Sequence, residues 1–169
     1  MTIQQSVHPG DWLVSIDLKD AYFHVPVAAD YQKYLRFAVG NQHLQFTCLP
    51  YGLTTSLRVF SKVLLAVVAL LRIKGVCLHH YLDDLLLLAQ DRSQLLEHRD
   101  LVIATLQEFG WLLNLEKSHL VPTQSLIFLG ALFNTIEGTI SLPEEKIATI
   151  LGQDTCNTCC SSPICSSMF

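Results

Sequence analysis

The chain has 169 residues, half of them apolar, which suffices for one domain with a sizeable core. Eleven basic residues against fifteen acidic leave a formal charge of −4, the wrong sign for a protein that grips nucleic acid by phosphate contacts alone. The longest apolar run, Val63 to Leu71, is too short to span a bilayer, and Met1-Thr2-Ile3-Gln4-Gln5 has neither the basic nor the apolar part of a secretory signal; an intracellular chain, cytoplasmic or nuclear, is expected.

Trp12 to Asp17 reads as a buried strand, with Val14 and Ile16 on one face and Leu13, Ser15 and Asp17 on the other. Asp17 closes it, and Asp20 falls where an aspartate would cap a short helical turn. Tyr34 to Val39 and His43 to Cys48 alternate apolar and polar residues about Gly40-Asn41, a hairpin signal. Pro50 and Gly52 end the second strand. Thr54, Thr55 or Ser56 then caps a long helix whose stripe is Phe60, Val63, Leu64, Val67 and Leu71, with Arg72 and Lys74 at its negative end and Gly75 as the stop.

Val76 to Ala89 sets two adjacent carboxylates, Asp83 and Asp84, between two apolar runs of strand length. A strand, a tight turn bearing both aspartates and a returning strand would bury the runs and leave the carboxylates at the edge of a core. Crowded like charges raise each other's pKa unless a cation joins them, so a divalent metal is the expected guest; the plainer alternative is ordinary turn chemistry. Asp91 or Ser93 begins a second helix with Leu95, Val102, Leu106 and Phe109 buried and Gly110 as its end. A polar stretch, Asn114 to His119, leads to short strands at Leu126 to Gly130, Ala131 to Thr135 and Thr139 to Leu142, with Glu137-Gly138 as a turn. Strands with two helices on one face predict an α+β layer. From about Gly152 periodicity ends. Residues 151–169 read as an unrelated, disordered Cys/Ser-rich tail, for which zinc binding through Cys156-x-x-Cys159 is the minor alternative.

Tyr81-Leu82-Asp83-Asp84 between hydrophobic strands resembles motif C of reverse transcriptases, and four more motifs stand in the right order. Val14 to Phe23 resembles motif A, Leu49 to Phe60 motif B, Phe109 to Ser118 motif D, and Phe128-Leu129-Gly130 motif E. The resemblance covers about Gly10 to Ile150, after a lead-in of residues 1–9. It is nearest to the polymerases of long-terminal-repeat and tyrosine-recombinase (DIRS-like) retrotransposons. It implies an α+β palm: a small antiparallel sheet carrying Asp17, Asp83 and Asp84, with two long helices on the opposite face.

By that resemblance Asp17 and Asp83 would bridge two magnesium ions, manganese being possible, and Asp84 would support them. The backbone of Leu18, Lys19, Asp20 and Ala21 would face the triphosphate. Tyr22 would exclude a ribose 2′-hydroxyl, Tyr51 and Gly52 would lie near the nascent base pair, and Lys117 would protonate the pyrophosphate. The implied partners are an RNA or DNA template-primer and deoxynucleoside triphosphates, with fingers, thumb and ribonuclease H parts supplied by a parent polyprotein. Leu57 stands where motif B usually has proline. With those other parts missing, weak or absent activity is expected from this chain alone, and a non-catalytic retroelement remnant or interaction module is the alternative.

Overall fold

A computed structural model describes residues 3–149 of the chain; the cysteine-rich tail and its zinc alternative lie outside them. In chain order the elements are helix α1 (Ile3–Ser6), strand β1 (Trp12–Asp17), a 3₁₀ turn (Ala21–His24), helix α2 (Ala29–Gln32), a second 3₁₀ turn (Lys33–Leu35), β2 (Arg36–Val39), β3 (Gln42–Gln45), helix α3 (Thr54–Ile73), β4 (Leu78–Tyr81), β5 (Asp84–Ala89), helix α4 (Arg92–Glu108), β6 (His119–Thr123), β7 (Ser125–Phe128), β8 (Ala131–Asn134) and β9 (Thr139–Ser141). Residues 144–149 are helical.

The central sheet has the order β4-β5-β1-β6 and its pairings are antiparallel. β1 and β5 form its middle, in register from Trp12↔Ala89 to Asp17↔Asp84. Side chains alternate across a strand, so each strand supplies both faces. Val14, Ile16, Leu85 and Leu87 enter one core with Phe60, Leu64, Val67, Val68 and Leu71 of α3 and Leu95, Val102 and Leu106 of α4. Leu13, Leu86 and Leu88 enter a second core with Leu126, Phe128 and Phe133 of the β7-β8-β9 sheet. The two helices do lie on one face, as expected, and a second small sheet covers the other.

Local chemistry explains most element ends. α3 closes in a Schellman arrangement: Gly75 N–H donates to Arg72 O (3.0 Å) and Val76 N–H to Leu71 O (3.2 Å), with Gly75 at φ +87°, where a side chain would be strained. The Arg72 guanidinium donates through Nη2 to Leu78 O (2.9 Å), tying the helix end to β4. α4 opens on Asp91, whose carboxylate accepts from Gln94 N–H at 3.0 Å. Replacing Asp91 with alanine frees that amide, and a loss of about 1 kcal/mol of stability in urea denaturation is expected.

Several expectations are corrected. The N-cap of α3 is Leu53, not Thr54, Thr55 or Ser56, and no side chain caps it; Ser56 lies inside the first turn with its hydroxyl oxygen buried and unpartnered. Val63 is 40% exposed and Val68 takes its place in the stripe. Helix α3 is apolar on nearly every side between Val63 and Leu71, so spacing alone does not say which side faces in. Phe109 is the C-cap of α4 and is exposed; Trp111, just past Gly110, is buried instead. β6 is an addition to the predicted elements, because Pro122 and polar neighbours hide an edge strand. The β2-β3 hairpin forms about the predicted Gly40-Asn41 turn, yet its residues are exposed on both faces, Phe37, Val39 and Leu44 included.

Candidate active site

The site sits where β1 ends against the β4-β5 hairpin. Tyr81 pairs with Asp84, which leaves Leu82 and Asp83 as a two-residue turn. Leu82 has φ +54° while Asp83 does not have a positive φ, the pattern of a type II′ turn, whose first position normally belongs to glycine. Gly40 holds the same position in the β2-β3 turn, with φ +59°. The leucine is strained there, and the strand pairs on both sides keep it in place.

This turn brings the carboxylates together. Asp17 and Asp84 are directly opposed across the β1-β5 ladder, and the Leu18 amide donates to the carbonyl of Asp83 at 3.0 Å. Partial burial holds the Asp84 carboxyl above the usual carboxylate range, helped by the charges of Asp83 and Asp17 and by a hydrogen bond with the Asp17 carboxyl; Lys117 pulls in the opposite direction. Lys117, exposed and far from β5 in sequence, is therefore within electrostatic reach of Asp84. Two carboxyls paired across one ladder, each disfavouring the other's charge, are a donor set suited to a hard divalent ion. All three candidate ligands are oxygen donors. Two of them, Asp17 and Asp84, are paired across the β1-β5 ladder, and the third, Asp83, stands at the adjoining turn. Among the described residues, no group of three His, Cys, Asp or Glu side chains already forms a metal site.

The neighbouring wall is aromatic. The 3₁₀ turn after Asp20 carries Tyr22, whose ring lies 4.8 Å from Tyr51 and 4.9 Å from Phe60, and Phe23, 5.1 Å from Tyr51. Burial raises the pKa of both tyrosine hydroxyls. The charge of Asp83 adds to this at Tyr22, and those of Asp20 and Asp83 add to it at Tyr51. The charge of Asp83 therefore reaches both tyrosines. Gly52, beside Tyr51, has φ +87°. Asp20 is the N-cap of the 3₁₀ turn, but in a left-handed conformation (φ 51°, ψ 37°) and without a side-chain cap bond; the expected capping role is corrected, and its carbonyl accepts from Phe23 N–H instead. Leu18 and Ala21 bury their side chains in the helix-side core, and the amides of Leu18 and Lys19 are committed to Asp83 O and Leu112 O.

Two residues to which the sequence assigns no role hold the end of β1. Asp17 N–H donates to the hydroxyl of Ser118 (3.0 Å), Ser118 Oγ–H donates to Asn114 O (2.7 Å), and Asn114 N–H donates to Asp17 O (2.9 Å). Their position beside Lys117 in the motif D stretch is the one signal that points to them.

Comparison with known proteins identifies the fold and its lineage. The family profile "Reverse transcriptase (RNA-dependent DNA polymerase)" matches residues 2–133. The chain belongs to that family. Among its relatives, the Gag-Pol polyprotein of Rous sarcoma virus subgroup C (strain Prague) is 33% identical over 157 residues, covering 86% of this chain and 10% of the relative. The Gag-Pro-Pol polyprotein of Human T-cell leukemia virus 2 is 30% identical over 152 residues, covering 82% and 10%. The retrovirus-related Pol polyprotein from transposon gypsy of Drosophila melanogaster is 26% identical over 134 residues, covering 79% and 13%. The chain thus spans about a tenth of the length of these relatives, which agree with the long-terminal-repeat assignment. Among solved structures, the foamy viral protease-reverse transcriptase dRH in complex with ds DNA superposes with a TM-score of 0.78 at 22% identity, covering 93% of this chain and 25% of that one. The same protein type in complex with RNA/DNA hybrid gives 0.75 at 22% identity, covering 89% and 20%. The fold is an α+β reverse-transcriptase palm. Among the described residues, no helix is long and apolar enough to cross a membrane.

Proposed function

We propose that residues 10–150 are the palm of a retroelement reverse transcriptase that performs RNA-templated DNA synthesis by two-metal nucleotidyl transfer. The observation that carries this reading is the opposition of Asp17 and Asp84 across one ladder, with Asp83 in the adjoining turn. Asp17, Asp83 and Asp84 would hold the ions, with Asp84 in the supporting part. Magnesium ions bound there, or manganese, would acidify the primer hydroxyl and neutralise the leaving pyrophosphate.

The chain's own residues position the reactants. The Tyr22 ring, braced by Tyr51 and Phe60, lies under the incoming sugar and leaves no room for a 2′-hydroxyl. Tyr51 and Gly52 border the nascent base pair, where a glycine lets backbone approach closely. With Leu18 and Lys19 amides committed internally, the backbone from Asp20 to Tyr22 is the part of that stretch open to a triphosphate. Lys117 delivers a proton to the pyrophosphate. The partners are an RNA or DNA template-primer and deoxynucleoside triphosphates, with fingers, thumb and ribonuclease H parts of a polyprotein completing the machine. A net charge of −4 and a hairpin exposed on both faces support weak or absent synthesis by this chain alone. The same two observations favour a second reading, a non-catalytic retroelement remnant.

Primer extension on an RNA template with magnesium and deoxynucleotides separates the two readings. Extension by the chain that disappears in Asp83→Asn, Asp84→Asn is the result expected of a working site, even at a low rate. A folded chain that extends no primer, and does not do so when fingers and thumb are supplied in trans, is a remnant.

A further inference from the structure

Asp17 occupies an unusual place in the sheet. On one side it pairs with Asp84 of β5. On the other, β6 pairs with β1 only at Leu13↔Thr123 and Ser15↔His119, with a register shift between them, so the strand that would continue beside Asp17 has already turned away. A backbone amide and carbonyl left open there, beside a carboxylate that must hold position, would be free to shift. Residues 114–118 fill the gap. They close on themselves through Ser118 N–H to Asn114 O (3.0 Å), and the Ser118 hydroxyl both accepts from Asp17 N–H and donates to Asn114 O, while Asn114 N–H donates to Asp17 O. One hydroxyl thus stands in for a missing strand. It is partly buried and uses its donor and an acceptor together. The same turn carries Lys117, whose charge acts on Asp84.

We propose that Ser118 is a positioning residue: its hydroxyl locks the Lys117 turn onto the backbone of Asp17, so that the metal-holding carboxylate and the proton-delivering lysine keep one fixed relation. This rests on the metal site proposed above. It differs from a merely structural role in what it predicts. Removing the hydroxyl loosens one amide and one binding site and leaves the cores untouched; a general packing role would weaken the fold as a whole.

The test uses the full chain labelled with ¹⁵N and followed by NMR, with Mn²⁺ alone as the probe, since paramagnetic broadening reports even weak binding. In Ser118→Ala the Asp17 amide is expected to exchange with solvent about tenfold faster, while amides in the middle of β5 keep their rates. Mn²⁺ broadening around Asp17 and Asp84 is expected to need about three- to tenfold more metal. Ser118→Thr, which keeps the hydroxyl, is expected to restore both. Unchanged Asp17 exchange and Mn²⁺ binding in Ser118→Ala would overturn the proposal and leave the metal site standing; so would a threonine variant that behaves like alanine while remaining folded. If Asp17→Asn binds Mn²⁺ as the unaltered chain does, the metal site itself is wrong and the proposal falls with it.

Discussion

Phe60→Ala is expected to cost about 3–5 kcal/mol of stability, enough to unfold a substantial part of a marginally stable domain at ordinary temperature. The ring is fully buried in the helix-side core. It stands at the meeting of three parts of the chain: α3, which carries it; the 3₁₀ turn, through Tyr22 at 4.9 Å; and the segment after α4, through an edge-on contact with Trp111 at 5.8 Å. Alanine removes the contact surface of all three at once, and a rigid sheet on one side limits how far they can close on the cavity. Urea denaturation gives the magnitude. A loss below about 1 kcal/mol would mean that the helix and the 3₁₀ turn repack without the ring. Because Tyr22 rests on Phe60, a milder Phe60→Leu variant should also relax discrimination between deoxy- and ribonucleotides in any form of the protein that extends primers.

Asp84→Asn is expected to act in opposite directions on stability and on metal response. The folded protein holds the Asp84 carboxyl above its ordinary value of 3.8, so the folded state favours the protonated form. The stability it contributes is fully present below pH 3.8 and is lost as pH rises through the raised value, because the unfolded chain gives up its proton first. At neutral pH and without divalent ions, the ionised group is a net burden in a crowd of carboxylates. Asparagine keeps the shape and removes the charge. The variant is therefore expected to melt at a higher temperature than the unaltered chain at pH 7 without metal, and to lose the part of the pH dependence that lies just above pH 3.8. Magnesium or manganese should raise the melting temperature of the unaltered chain and leave that of Asp84→Asn nearly unmoved. Thermal melts across pH, with and without the ion, decide it; a variant that melts lower at pH 7 in chelator would show that Asp84 is stabilised by its surroundings.

Much of this architecture is legible in the residues because the pattern and the environment agree. Val14 and Ile16 alternate with Leu13 and Ser15, and both faces of β1 are indeed covered; the two apolar runs fold as a hairpin, although its turn is Leu82-Asp83 and Asp84, expected in the turn, is instead the first paired residue of β5. Asp91 and Gly75 follow capping chemistry that is local and strong, so they are found where expected. What stays hidden depends on distant partners. Val63 and Phe109 look like core residues, and only the positions of the sheet and of Trp111 leave them outside. Asp20 looks like a cap, but the chain enters the 3₁₀ turn in a left-handed conformation, and its carboxylate caps none of the free amides. The bond from Asp17 to Ser118 spans a separation of 101 residues, and no spacing rule reaches that far.

The four leucines from Leu85 to Leu88 have a further consequence. All four are buried, two facing the helices and two facing the second sheet. In a strand with one wet face, sliding the pairing by a single residue would turn its apolar side chains into water, and that penalty fixes the alignment. Here such a slip would exchange leucine for leucine and the cores would scarcely notice. The run is silent about alignment. The information has to come from its ends: the tight turn at Leu82-Asp83, and Asp84, a slip of which would draw a carboxylate in among the leucines. The aspartates to which we assign the metal would thus also be the spelling marks by which the middle of the sheet is read in frame.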